Sequence, residues 1–475
     1  MTATPDARSR ERDQALSSVD YAWLRMDDPT NLMLINGVLV LARPLSFPRL
    51  RETVERRLVP ISRFRQRVVP QASGGRPRWE NDPAFDLDRH VLAMTLPGAG
   101  GDAELRAVVS ELVSEPLDPA RPLWEFRLID NYLGGAVLFG RIHHCVGDGM
   151  ALMLVLLSLT DRDEEASTGG EAAHMNPFIQ LFGHEPPDMA AVRAAADQVM
   201  PDGIRLMLQP AEAYRKARWQ TALASIGALV RLVLRLRDPK TIFKGPLGVP
   251  KRAGWSDQIP LADVKAVGQA LGGTVNDVLL TAMAGGLRRY LLARGESAER
   301  LSFRAAMPVN LRSLGEMADL GNRFGLIFLS IPVGIADPVA RLAELKRLSK
   351  KLRVSAEPVV VFAILRLLGL VPHFVQKLVV SIFATKTTAV MTNVPGPRET
   401  LYLAGVPITD VFFWVPQSGR VGLGISICSY DGRVRLGIGT DAALVPDPET
   451  IAEEFHREFE DMQRLARERT PPRVG

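Results

Sequence analysis

The segment His143-His144-Cys145-Val146-Gly147-Asp148-Gly149 lies between two apolar runs of different character, and this constrains the fold more than any other stretch. Residues 135–142 (Gly-Ala-Val-Leu-Phe-Gly-Arg-Ile) have strand character. Residues 150–157 (Met-Ala-Leu-Met-Leu-Val-Leu-Leu) read as the start of a buried helix. The chain therefore turns at the histidines. A strand end followed by a turn fixes side chains on a rigid element and aims them into a cleft.

Three readings of the segment compete. Metal ligation is disfavoured because adjacent residues on a strand point to opposite faces, so His143 and His144 are poorly placed to chelate one ion. The chain also has only 7 His and 2 Cys, with Cys145 and Cys428 far apart. A structural reading has the histidines filling hydrogen bonds at a strand end, which suits His143. In the third reading one histidine is a general base. A neutral imidazole takes a proton from a hydroxyl or amine near neutral pH, an effect worth about 10²–10⁴-fold in rate. The H-H-x-x-x-D-G pattern is more specific than a lone histidine and favours this third reading. Asp148 can fold back to lock the loop, pair with an arginine or orient the imidazole. Gly147 and Gly149 permit backbone angles that other residues resist, and they leave room for a substrate.

The fold class reads as mixed α/β. Strands are expected at 34–41, 125–129 and 136–142, with helices at 47–58 and at 102–114, the second capped by Asp102. Residues 162–210 change to a linker composition. Residues 211–237 read as a long helix with Arg215, Lys216, Arg218, Arg231, Arg235 and Arg237 flanking an apolar middle. It is either a packed helix whose arginines snorkel or a basic surface helix that docks on anionic lipid. Helices at 261–271 and 275–292, strands at 301–308 and 326–333, a hairpin turning at 430–433 and a closing helix at 448–464 follow. Three segments result: 1–175, a linker and crossing helix at 176–254, and 255–475. A weak internal echo pairs the strand entering His143–Gly149 with a strand entering Ser429–Gly432.

With 47% apolar and 23% charged residues over 475 positions, the chain has a globular profile, and its two cysteines fit a reducing compartment. The charged N-terminus has no apolar signal core, so a cytoplasmic protein is expected. The net charge of +5 suits anionic membrane surfaces or CoA phosphates, and no nucleic-acid module is recognisable. Residues 358–384 are apolar, but Arg366, Pro372, His373 and Lys377 interrupt them, so they read as two helices and not as a membrane span.

H-H-x-x-x-D-G preceded by Pro122-Leu123-Trp124-Glu125 resembles the bacterial wax ester synthase/acyl-CoA:diacylglycerol acyltransferases. Further matching segments appear in the family's order along almost the whole chain: Ser18-Val19-Asp20 with Trp23-Leu24, the Asn276-Asp277 pair, Met307–Arg312, Gly321-Asn322, Asn393-Val-Pro395-Gly-Pro397, Ser429–Gly432 and Leu444–Asp447. H-H-x-x-x-D-G alone is shared with condensation domains of peptide synthetases. Ala151 departs from the serine that relatives often carry.

The resemblance implies two chloramphenicol-acetyltransferase-like domains with a tunnel between them. It implies transfer of a fatty acyl group from acyl-CoA, as co-substrate and without a cofactor or metal, to a long-chain alcohol or diacylglycerol. It points to His144 as the base, His143 as its support, and Asp148 as an anchor paired with an arginine, with Arg312 as a candidate. Asn276 is expected as an oxyanion donor or, with Asp277, as a helix cap. Gly149 borders the substrate, and Pro122, Trp124, Asn393 and Pro395 form structure near the site. Peripheral contact with the inner membrane face or lipid inclusions is expected, and no nucleic-acid partner. A carrier-protein-dependent condensation-type acyltransferase and a non-catalytic lipid-droplet protein are the competing readings.

Overall fold

The computed structural model describes residues 14–71, 75–164, 232, 234–311, 320–353, 355 and 357–469. The charged first dozen residues, nearly all of the 162–210 linker, most of the helix expected at 211–237, and Arg312 lie outside the described residues.

Among the described residues two seven-stranded mixed sheets organise the chain, beside a small three-stranded one. The first runs Val91–Thr95, Trp124–Tyr132, Gly135–His143, Leu34–Leu41, Val406–Trp414, Tyr402–Leu403 and Thr160–Asp161. The second runs Ile259–Pro260, Arg433–Asp441, Leu423–Tyr430, Ala389–Pro395, Phe303–Asn310 and Phe324–Ile331, with Lys251–Trp255 also paired to Arg433–Asp441. Gly135–His143 is flanked on both edges, by Trp124–Tyr132 and Leu34–Leu41, and eight of its nine residues are buried. This explains its near-continuous apolar run: a strand covered on both faces has no solvent side on which to alternate.

The sheets are stitched together across the sequence. Val406–Trp414 belongs to the second half of the chain but pairs antiparallel with Leu34–Leu41, Trp414 opposite Asn36. The helices expected at 261–271 and 275–292 are found as Leu261–Leu271 and Val275–Ala293, and residues 358–384 form two helices, Glu357–Leu368 and His373–Ala384.

One local expectation is corrected. The helix Asp102–Leu112 is capped by Gly101, whose N–H donates to Glu104 Oε2 at 3.0 Å. Asp102 is its first residue and accepts from the Tyr132 hydroxyl at 2.6 Å. A strand, Leu423–Tyr430, enters Ser429–Gly432 as expected. Asp431 and Gly432 take φ of 45° and 71°, so the segment at 429–432 is the tight turn of a hairpin and leads straight into Arg433–Asp441. The strand Arg433–Asp441 then runs through a short loop into the helix Pro448–Arg469, the same order of strand, loop and helix as at His143–Gly149. There Asp441, fully buried and paired with Lys251 Nζ at 2.7 Å, ends the strand where His143 ends the other.

Candidate active site

A cavity of about 280 Å³ lies between the two sheets. Val38, Phe126 and Leu138 from the first sheet and Ala306, Leu326 and Val390 from the second form its walls, with Leu365 and Phe383 from the helix pair at 357–384. Its lining is dominated by apolar side chains and includes His144, Asp148, Gly149 and Asn393. Apolar concavities with a few convergent polar groups are the usual form of a small-molecule site.

The strand Gly135–His143 ends at the first histidine, and its neighbour follows in the turn. His144 borders the cavity, and its backbone N–H donates to Met33 O at 2.7 Å. His143 is buried on the other side of the turn, where Nδ1 accepts from the Cys145 amide at 3.1 Å and Nε2 lies 3.5 Å from Asp27 Oδ1. Burial opposes a proton on this ring, while Cys145 and Asp27 favour one. That proton belongs on Nε2, facing Asp27, because Nδ1 is occupied as an acceptor.

The tautomer of His144 follows from its partners. Asn322 Nδ2 donates to Asp20 Oδ1 at 2.8 Å and to the His144 carbonyl at 2.7 Å. Both of these are acceptors, which fixes the orientation of the Asn322 amide and turns its Oδ1 to His144 Nδ1, 2.8 Å away. Nδ1 is thus the protonated nitrogen, and Nε2 carries the lone pair. Burial pushes the His144 pKa down to about 4, against the opposing pull of Asp148 and Asn322, so the ring is neutral near pH 7. Trp23 stacks on the imidazole with ring centroids 4.2 Å apart and planes 10° from parallel.

Asp148 closes the same assembly from behind. Its Oδ2 accepts from the Arg323 backbone N–H at 3.0 Å, and its own N–H donates to Gly321 O at 3.2 Å. It therefore clamps the turn that carries Asn322. Gly321 has φ of 118°, a conformation that favours glycine, and a Cβ there would lie 3.5 Å from Asp20 Oδ2. Gly147 and Gly149 do not use the left-handed region. What Gly149 supplies is space, since a Cβ there would meet nothing within 4 Å.

The second half of the chain brings two asparagines together. Thr274 caps the helix Val275–Ala293: its Oγ1 accepts from the Asp277 N–H at 3.2 Å, and Asp277 Oδ2 accepts from the Thr274 N–H at 3.0 Å. The Asp277 carboxylate is thus committed to the capping box. Asn276 is not the cap. Its Oδ1 accepts from Asn393 Nδ2 at 2.9 Å, and Asn393 is the member of this pair that borders the cavity. Pro395 is the last residue of the strand Ala389–Pro395 that carries Asn393. Pro122 and Trp124 belong to packing. Trp124 donates to Phe64 O at 2.9 Å and stacks on His90, while the Leu123 carbonyl between them accepts from the His143 N–H at 3.0 Å.

Sequence reasoning did not assign site roles to Asp20, Trp23 or Asn322. The available signal was their place in the short segments 18–24 and 321–322, which matched the resembled family without any evident chemistry of their own.

Comparison with known proteins agrees with this architecture. Residues 16–279 match the wax ester synthase/diacylglycerol acyltransferase catalytic domain, and residues 320–463 match the WS/DGAT C-terminal domain. A protein of Mycobacterium tuberculosis strain H37Rv named a probable diacylglycerol O-acyltransferase is 26% identical over 446 residues, covering 92% of this chain and 93% of its own. The solved wax ester synthase/diacylglycerol acyltransferase from Marinobacter aquaeolei VT8 is similar in fold, with a TM-score of 0.66 at 20% identity over 95% of this chain and all of that one. The first condensation domain of the calcium-dependent antibiotic synthetase has a TM-score of 0.61 at 15% identity over 96% of each chain. The chain belongs to the wax ester synthase/diacylglycerol acyltransferase family of enzymes.

Proposed function

We propose that this protein transfers a fatty acyl group from acyl-CoA to the hydroxyl of a long-chain alcohol or diacylglycerol, with His144 as general base. The observation that carries the reading is the bond from His144 Nδ1 to Asn322 Oδ1, which leaves Nε2 as a lone-pair nitrogen on a neutral ring bordering an apolar cavity.

In this reading His144 Nε2 takes the proton of the acceptor hydroxyl as its oxygen attacks the thioester carbonyl carbon. The tetrahedral intermediate collapses with loss of the C–S bond, and the imidazolium returns the proton to the departing thiolate of CoA. Asn322 holds the ring through its Nδ1–H, and Asp20 holds Asn322. Because Nδ1–H donates to a neutral amide, the imidazolium gains no direct carboxylate partner there. The nearby Asp148 carboxylate favours that charge. The oxyanion donor is assigned to the Asn276–Asn393 pair, whose member Asn393 borders the cavity. The apolar walls suit a hydrocarbon chain, and the protein works at a membrane or lipid-inclusion surface from which such acceptors come.

The test is a carrier-free assay with one long-chain acyl-CoA and a panel of acceptors, comparing wild type with His144→Ala. Ester formation by the wild type and a loss of about 10²–10⁴-fold in the variant, with its fold intact, are expected. Wild-type activity that appears only with an acyl-carrier protein, or a fully active variant, overturns the reading.

A further inference from the structure

The helices Glu357–Leu368 and His373–Ala384 present apolar side chains on two opposed faces. Facing inward, Val361, Leu365, Leu368, Val380 and Phe383 line the cavity that contains His144. Facing outward, Leu367, Leu370, Phe374, Leu378 and Ile382 stand between 45% and 73% exposed. Single exposed apolar residues are normal on any surface. Here five of the ten exposed large apolar residues among the described ones fall within sixteen consecutive positions. Phe374, Leu378 and Ile382 recur every fourth residue, which aligns them as one stripe along their helix.

Within the hairpin the charge has one sign, and the exposed Asp28 of the neighbouring turn lies near Lys377. Residues 358–398 contain no Asp or Glu, and Arg366 and Lys377 are exposed beside the apolar side chains. Such side chains lay their stems along an apolar surface and place the cation at headgroup level. Among the described residues no helix is long and apolar enough to cross a membrane, so the pattern suits a surface that lies on lipid.

The hairpin is also fixed firmly to the site. Arg25 Nη1 donates to Val371 O at 2.8 Å, and Gln376 Nε2 donates to Ala22 O at 2.7 Å. Gly369 approaches Ser18 so closely that a Cβ would fall 1.7 Å from its carbonyl oxygen. The helix gripped in this way, Ser18–Met26, carries the Asp20 and Trp23 that hold His144.

We propose that the outward face of this two-helix hairpin docks on an anionic phospholipid surface. One layer of helix then separates the lipid, and the apolar acyl acceptor dissolved in it, from the cavity. The route for the acceptor rests on the acyl-transfer reading, whereas the docking itself does not.

The test is flotation of the full-length protein with phosphatidylglycerol/phosphatidylcholine vesicles, comparing wild type with Phe374→Ser/Leu378→Ser and with Leu133→Ser as an exposed-leucine control. Turnover of a short-chain acyl-CoA with a water-soluble alcohol is measured alongside. The double variant is expected to bind vesicles at least about tenfold more weakly, because two large apolar side chains no longer leave water. Its soluble turnover and the control's vesicle binding are expected to stay at wild-type level. Undiminished flotation of the double variant, or no flotation of the wild type, overturns the docking. So does a shift of the double variant from dimer to monomer with vesicle binding unchanged, which assigns the face to a second copy of the chain. Loss of soluble turnover in the wild type is a failure of the acyl-transfer reading instead, and leaves the vesicle result standing.

Discussion

Asn322 bonds His144 at two points: its Oδ1 accepts from the ring Nδ1 at 2.8 Å, and its Nδ2 donates to the backbone carbonyl of the same residue at 2.7 Å. The amide thus fixes the tautomer of the imidazole and the position of its backbone together. Since Nδ2 also reaches Asp20 Oδ1, the orientation of the ring depends on residues 124 and 178 positions away in sequence.

Replacing Asn322 by alanine should leave a folded protein whose kcat falls by roughly 10²-fold with little change in KM, the scale of loss when a reacting group is misplaced by about an ångström. Steady-state kinetics on a soluble acceptor, with circular dichroism of the same sample, check this. A proportionate rise in KM with kcat unchanged would contradict it.

The pH dependence follows from the low pKa of His144. Burial holds it at about 4, against 6.5 for an ordinary histidine. kcat/KM should therefore stay level as pH falls from 8 through 6.5, with its acid limb near pH 4 to 5 wherever the fold persists. The stability sign agrees. Between pH 6.5 and about 4 the unfolded chain binds a proton at this residue that the native state refuses, so stability rises with pH across that window. The contribution of the buried neutral ring is present above pH 6.5 and is lost on acidification. Chemical denaturation at several pH values, in wild type and His144→Gln, isolates it.

Asp148→Ala should lower stability by about 1–3 kcal/mol, because the Arg323 amide loses its charged acceptor in a part-buried hydrogen bond. Asp148→Asn keeps an acceptor oxygen and should cost much less. Thermal melts of the two variants decide this, and equal losses would argue that the charge matters more than the hydrogen bond.

If the two asparagines act as one donor unit, Asn276→Ala and Asn393→Ala should each reduce kcat by roughly 10²–10³-fold. The double variant should lose little more than either single one, since residues in contact are not additive. An unchanged rate in Asn276→Ala would leave that residue with packing alone.

Gly149→Ala should fold at least as stably as wild type, since a glycine without positive φ gains about 0.4–1 kcal/mol on replacement by alanine. The added methyl group reaches into the cavity, so the variant should discriminate more strongly against bulky acceptors than against slim ones. An acceptor panel reads this directly.

The sequence alone determined the local elements and the unit that presents the histidines. Strand, turn and helix at 135–157 were legible because a doubly covered strand leaves an unbroken apolar run and a second apolar run of helical length follows it, and the Asp431-Gly432 turn because few residues accept positive φ. Tertiary structure decided what those elements meet. Hydrophobic periodicity states which face is buried but not against which partner, so the pairing of Val406–Trp414 with Leu34–Leu41 had no local signal. The same holds for the polar groups of the site. Asp20 and Asn322 are unremarkable in sequence, and Asn276 and Asp277 look equivalent there. Only the folded chain commits Asp277 to a helix cap, pairs Asn276 with Asn393, and sets an amide against one nitrogen of His144 so that the other keeps its lone pair, because hydrogen bonds depend on positions in space that distant segments reach only after packing.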